Sequence, residues 1–207
     1  MMSQNAVKGA NSMAMIIVKF VFAVILVLAA CELLFLDITS LGRRKAMRQF
    51  PVAAKTFGFV RQPSRASKPI GTYTGTYKGY DFKIDPDSNA TIQLQMKPID
   101  GIREFITKKG ETNFQSGVPQ FDSLFKTRLV SEELGQRLRN DKRFFTFAAQ
   151  FAKRWRWKSN YIQIYSDSIY CSLKYGNGRY IPASVLEQIV PDIVELANLL
   201  QAAANGR

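Results

Sequence analysis

The run Met13 to Leu36, MAMIIVKFVFAVILVLAACELLFL, constrains this chain more than any other stretch, because 24 residues carry only two charges, Lys19 and Glu32. A helix of that length extends about 36 Å at 1.5 Å per residue, enough to cross a bilayer. The two charges stand 13 residues apart, about 220° around a helix beyond full turns, so they cannot pair with each other. The expected organisation is a tail over 1–12 and a transmembrane helix over 13–38. Lys19 lies near enough to one end to snorkel, whereas Glu32 has no partner in its own helix and is expected to contact another transmembrane chain.

Orientation follows from the flanks. Arg43, Arg44, Lys45 and Arg48 lie just past the apolar run, while only Lys8 precedes it, which sets the C-terminal part in the cytoplasm. A competing reading takes Leu28-Ala29-Ala30-Cys31 as a lipobox, giving a periplasm-facing lipoprotein acylated at Cys31. Against it, apolar residues continue through Leu33-Leu34-Phe35-Leu36, and the n-region is long and weakly charged.

From Asp37 onward, 27 Lys and Arg oppose 15 Asp and Glu, a net charge of +12. Beside a membrane, such an excess favours acidic headgroups, at about 1 kcal/mol per basic residue near the surface. Nucleic acid is the less favoured partner. The chain contains no histidine, which removes the commonest general base and metal ligand. Cys31 in the anchor and Cys171 in an expected strand offer neither a disulfide nor a zinc spacing. No cofactor, metal or catalytic residue is expected.

Residues 39–69 read as a basic juxtamembrane helix and linker, helix-compatible to Thr56 and broken by Gly58 and the run Arg61 to Pro69. A soluble domain is expected over 70–207. Thr72, Thr74 and Thr76 alternate with Tyr73, Gly75 and Tyr77, then Lys78-Gly79 forms a tight turn before Tyr80 to Ile84: a hairpin. Gly71, Gly75 and Gly79 lack the Lys-Ser/Thr ending of a phosphate loop. Asp85, Asp87 and Asn89 begin a calcium-loop spacing, but Ala90 and Met96 replace its glycine and glutamate. Thr91 to Met96 and Ile102 to Thr107 are further strands. Ser131 followed by Glu132 and Glu133 starts a helix; Asn140-Asp141 caps another, with Phe144, Phe147, Ala148 and Phe151 as its apolar stripe. Tyr161 to Tyr165 and Ser168 to Tyr175 form a hairpin with Cys171 as inert packing. Ser184 to Glu187 reads as a capping box opening a long C-terminal helix, which Pro191 must kink or restart. The fold class is therefore α+β: one transmembrane helix, then a single domain of antiparallel hairpins packed with helices.

Lys153, Arg154, Trp155, Arg156, Trp157 and Lys158 form the most conspicuous surface candidate. In an extended chain the cations Arg154, Arg156 and Lys158 share one face and both tryptophans the other. Lys153, Arg154, Trp155, Arg156 and Trp157, with Arg43, Arg44 and Lys45, are expected to contact headgroups or a partner.

The anchor followed by Arg43-Arg44-Lys45 and a short helix, the text Gly75-Thr76-Tyr77-Lys78-Gly79-Tyr80, and Gly117 to Phe125 with Phe121-Asp122-x-x-Phe125 resemble bacterial single-pass membrane-anchored proteins of unknown function. The resemblance implies location in the inner membrane and architecture, not an activity. The expected function is a non-catalytic binding or structural module on the cytoplasmic face, an accessory subunit of a larger membrane complex. Membrane-tethered binding of nucleic acid or anionic lipid is the alternative.

Overall fold

The computed structural model describes residues 20–28, 31, 44, 47–63, 70–86, 90–107, 111–155, 159–173 and 181–206. The chain divides into two compact units, Met1–Gly42 and Arg43–Arg207. In the first, residues 20–28 are helical and every one is apolar and exposed. That stretch is nine residues long, and among the described residues no helix is long and apolar enough to cross a membrane. The rest of the run expected to span, Glu32 included, lies outside the described residues.

The second unit is an antiparallel sheet with helices on one face. Its elements are α1 (residues 47–56), β1 (Val60–Arg61), β2 (Tyr73–Tyr77), β3 (Tyr80–Asp85), β4 (Thr91–Gln95), β5 (Ile102–Ile106), α2 (Pro119–Leu124), β6 (Lys126–Leu129), α3 (Glu132–Asn140), α4 (Arg143–Trp155), β7 (Ser159–Ile164), β8 (Ser168–Leu173) and α5 (Ala183–Ala204). The expected α+β class, antiparallel sheet and C-terminal helix are all present.

The sheet order is β1-β2-β3-β4-β8-β7-β5-β6. The last hairpin, β7–β8, thus inserts between β4 and β5 and joins two earlier blocks of strands. Register keeps one face apolar across this join: Phe82 pairs with Leu94, Leu94 with Ile169, Ile169 with Ile164, and Ile164 with Phe105. One row along, Ile84, Ile92, Cys171 and Ile162 do the same. A one-residue slip in any pair would turn its core residues to the other face.

Local chemistry accounts for most element ends. Lys78 and Gly79 both hold positive φ, 49° and 83°, the conformation that lets a two-residue loop follow the strand twist. Helix α1 closes with Phe59 N–H donating to the Ala54 carbonyl at 3.0 Å and Gly58 N–H to that of Lys55 at 3.0 Å, the paired bonds of a left-handed glycine cap. Ser131 caps α3, its hydroxyl accepting from Leu134 N–H at 3.2 Å. Asp141 Oδ1 accepts from Arg143 N–H at 3.0 Å where α4 begins.

Three sequence expectations need correction. The helix expected before Thr56 is present as α1, but α1 and β1 belong to the sheet unit rather than to a separate juxtamembrane segment, with Phe50, Ala53, Ala54 and Phe59 buried in its core. The short apolar stripe of α1 was hidden by its basic composition. Ser184 does not cap α5; the helix opens two residues earlier, with Pro182 at the cap position, φ −63° and ψ 147°, and no side-chain cap, because proline already fixes the entry dihedral. Of the kink or restart expected at Pro191, the restart does not occur, since α5 continues through it to Ala204. The Asp87 to Asn89 part of the rejected calcium loop lies outside the described residues.

The core under the sheet's second half is a phenylalanine cluster. Phe121 and Phe125 stack at 4.6 Å, and Phe121 meets Phe145 edge-on at 4.8 Å. Phe144 meets Phe105 at 5.6 Å. Between the two aromatics of the Phe-Asp-x-x-Phe text, Asp122 accepts from both the backbone N–H and the hydroxyl of buried Ser116, each at 2.9 Å. That motif is a clasp holding the 111–118 loop against α2.

Candidate interaction surface

The residues nominated from sequence do not form one patch. Lys153, Arg154 and Trp155 are the last turn of α4 rather than a strand. Trp155 is 2% exposed, and its indole N–H donates to Asp192 Oδ2 of α5 at 3.1 Å. Arg154 lies over the same carboxylate, Nη1 at 2.9 and 3.2 Å from its two oxygens. Trp155 therefore cannot reach a headgroup or a partner; the expectation fails because a helical turn carries the ring inward, where extended backbone would have left it on a sheet surface. Lys153, Arg154 and Arg44 are exposed. Arg43, Lys45, Arg156 and Trp157 lie outside the described residues.

Sequence reading missed the sheet's second face. Opposite the apolar rows stand Thr74, Lys83, Gln93, Tyr170 and Gln163, aligned by register, all exposed or half-buried. Tyr161 and Tyr170, diagonal across β7 and β8, stack at 5.7 Å with a 25° interplanar angle. Burial, followed by repulsion from Tyr161, holds the Tyr170 hydroxyl above the ordinary phenol range, so it stays a neutral donor. Towards β6, Glu104 accepts from Gln163 Nε2 at 3.1 Å and meets Arg128 at 3.5 Å. The period-2 alternation of β4, β7 and β8 carried the signal for this face, since each places a polar or aromatic residue opposite a core residue.

Its two edges are finished differently. Along β6, Asn113 stands in for a partner strand: its backbone N–H donates to Thr127 O at 3.0 Å, its side-chain Nδ2 donates to Leu129 O at 2.7 Å, and its side-chain Oδ1 accepts from Leu129 N–H at 2.9 Å. This seals an edge that would otherwise template pairing with another chain. At the other edge is the two-residue β1.

A groove of about 530 Å³ opens where β3 and β4 meet α5, bordered by Lys78, Tyr80, Asp81, Lys97, Asn198 and Gln201. Tyr80 donates to Asn198 Oδ1 at 2.7 Å and lies 3.2 Å from Gln201 Oε1. The Gln201 amide nitrogen is buried without a partner. Exchanging that amide's oxygen and nitrogen lets it donate to the Tyr80 oxygen.

No protein-family model matches this chain, and no curated protein sequence matches it. A solved structure that superposes on it is the crystal structure of the mycobacterial trehalose monomycolate transport factor A, TtfA, at 13% identity and TM-score 0.48, covering 79% of this chain and 96% of that chain.

Several carboxylates hold elements together. Asp192 clasps α4 to α5, Asp122 clasps a loop, Asp81 accepts from Thr76 at 2.6 Å and Asp85 accepts from the Thr72 hydroxyl. Cys171 is fully buried, which pushes its thiol far up and leaves it uncharged. Among the described residues there is no group of three or more Cys, Asp or Glu placed to hold a metal.

One pair gives a pH signature. Hydrogen bonds from the Arg143 side chain, 2.6 to 3.1 Å, hold the Asp141 carboxyl below its ordinary value, burial opposing. With the folded value depressed, the unfolded chain binds the proton more readily. The contribution is complete above about pH 4 and is lost as pH falls through the folded value. The melting temperatures of wild type and Asp141→Asn should therefore differ at neutral pH and converge in acid; a gap independent of pH would show that ionisation of Asp141 is irrelevant.

Proposed function

We propose that this protein is a single-pass, membrane-anchored, non-catalytic interaction module, its basic α+β domain on the cytoplasmic side of a bacterial inner membrane, serving as an accessory subunit of a larger membrane complex. The observation that carries the reading is the helical stretch 20–28, apolar on every side and exposed around its whole circumference. A helix apolar all round is stable only inside a protein core or a bilayer, and burying each large side chain is worth about 1.5–3 kcal/mol. The sequence continues apolar on both sides, from Met13 to Leu36. The basic cluster Arg43, Arg44, Lys45 and Arg48 supports the cytoplasmic orientation.

The polar face centred on Tyr161 and Tyr170 suits a protein partner: rigid aromatic rings ringed by amides and hydroxyls offer contact area at low entropic cost. Glu32 supplies a contact inside the membrane. Gentle detergent extraction followed by mass spectrometry should recover stoichiometric membrane partners, and Glu32→Leu or Tyr170→Ala should reduce their recovery. Purification of the protein alone under every mild condition would overturn the accessory role.

A further inference from the structure

Charge is distributed unevenly in a way net charge hides. Residues 38–80 contain nine Lys and Arg and no Asp or Glu, whereas 81–207 carry 18 against 14. Within that acid-free stretch stands α1, whose two sides differ. Its inner side is fixed to the sheet: Phe50 meets Tyr73 edge-on at 5.0 Å, and Ala53 and Ala54 are buried. Its outer side presents Arg48, Val52 and Lys55, at i, i+4 and i+7 within an arc of about 60°. Val52 is 67% exposed, and Pro51 beside it is exposed as well. Arg44, one turn earlier in sequence, is also helical and exposed.

Cations interleaved with exposed apolar side chains, without a single acid, are the composition of a helix lying in a membrane interface. The outer surfaces of the other long helices differ: Glu132 and Glu133 are exposed on α3 and Glu187 and Glu195 on α5, while α4 exposes no apolar side chain and has Arg143 paired with Asp141 and Arg154 with Asp192. A surface that carried acids would be repelled by anionic headgroups; the outer side of α1 is complementary to them.

We infer that the outer face of α1, through Arg48, Val52 and Lys55, docks on the anionic surface of the bilayer. The inference rests on the membrane-anchored reading and adds a second, in-plane contact. Seven residues separate Leu36 from Arg44, so the eight Cα–Cα steps between them span at most about 28 Å. Because Phe50 and the two alanines lock α1 to β2, docking fixes the tilt of the entire sheet and hence the direction in which the Tyr161–Tyr170 face is presented.

The test uses the full-length chain with Cys31→Ser, reconstituted in phosphatidylcholine vesicles with or without phosphatidylglycerol. A bimane label is placed at Val52→Cys or, as control, at Gln150→Cys on the exposed side of α4, and a nitroxide on the lipid headgroup quenches it. Cys171 is buried and does not label. Emission from position 52 should be largely lost in phosphatidylglycerol vesicles and restored by high salt or by Arg48→Glu with Lys55→Glu, while position 150 stays bright. Each cation removed should weaken docking about fivefold. Quenching at 52 no greater than at 150, in protein that stays with the vesicles, overturns the docking and leaves the anchor standing. Protein absent from the vesicle fraction overturns both. Quenching at 52 that is equal in neutral vesicles and indifferent to salt overturns the role of anionic lipid.

Discussion

Trp155→Ala should destabilise the folded domain by about 3–5 kcal/mol, the range for removing a large buried aromatic. Three contributions act together. The indole is 2% exposed, so its loss leaves a cavity in the α4–α5 packing. Its N–H is one of the donors to Asp192, whose side chain is only 18% exposed; without it, a half-buried carboxylate loses a partner. Arg154 would keep its contact with Asp192, but as a pair open to solvent and worth at most about 1 kcal/mol. Arg154→Ala should therefore cost about 1 kcal/mol or less, and Trp155→Phe an intermediate amount. For a domain of this size the alanine variant should melt on the order of 10 °C lower. A Trp155→Ala protein as stable as wild type, with partner or lipid binding lost, would return the ring to the surface role that its sequence neighbourhood suggests.

The second large effect is expected at Gly101. Its φ is +93°, and a β-carbon there would stand 2.5 Å from Ser131 Cβ and 3.3 Å from Leu134 Cδ2. Gly101→Ala thus incurs left-handed backbone strain of about 1–2 kcal/mol and overpacking of about 1–3 kcal/mol. The collision falls on the capping residue of α3, beside the bond from Val130 N–H to Gly101 O at 2.7 Å. Gly79 separates the two terms. It has φ +83° and nothing within 4 Å of an added β-carbon, so Gly79→Ala should show the strain alone. Denaturant unfolding of both variants should place Gly101→Ala clearly below Gly79→Ala; equal losses would mean that the α3 cap moves aside freely.

Much of the domain was legible because its chemistry is local. The Lys78-Gly79 turn, the alternation in β3, β4 and β8, the Ser131 cap and the Phe144–Phe151 stripe each announce themselves within a few residues. Insertion of β7–β8 between β4 and β5 does not, since no short window records which strand lies beside Leu94 or Phe105; that pairing follows from burying one continuous apolar face. No short window announces the place of Asn113 on the β6 edge, because its bonds there depend on Thr127 and Leu129, which lie 14 and 16 residues away. The nominated surface segment misled for a related reason: cations flanking tryptophan look alike in a strand and in the last turn of a helix, and only Asp192, on another helix, decides where the ring goes. The open sheet face and the outer side of α1 became visible only once register and burial separated inner from outer residues.

In the proposed function, residues 13–36 hold this protein in a membrane. Alkaline carbonate extraction of membranes from cells expressing the full chain tests it most directly, because it strips proteins held by charge alone and leaves spanning ones. The protein should remain in the pellet and leave it only with detergent; recovery in the carbonate supernatant would contradict the anchor.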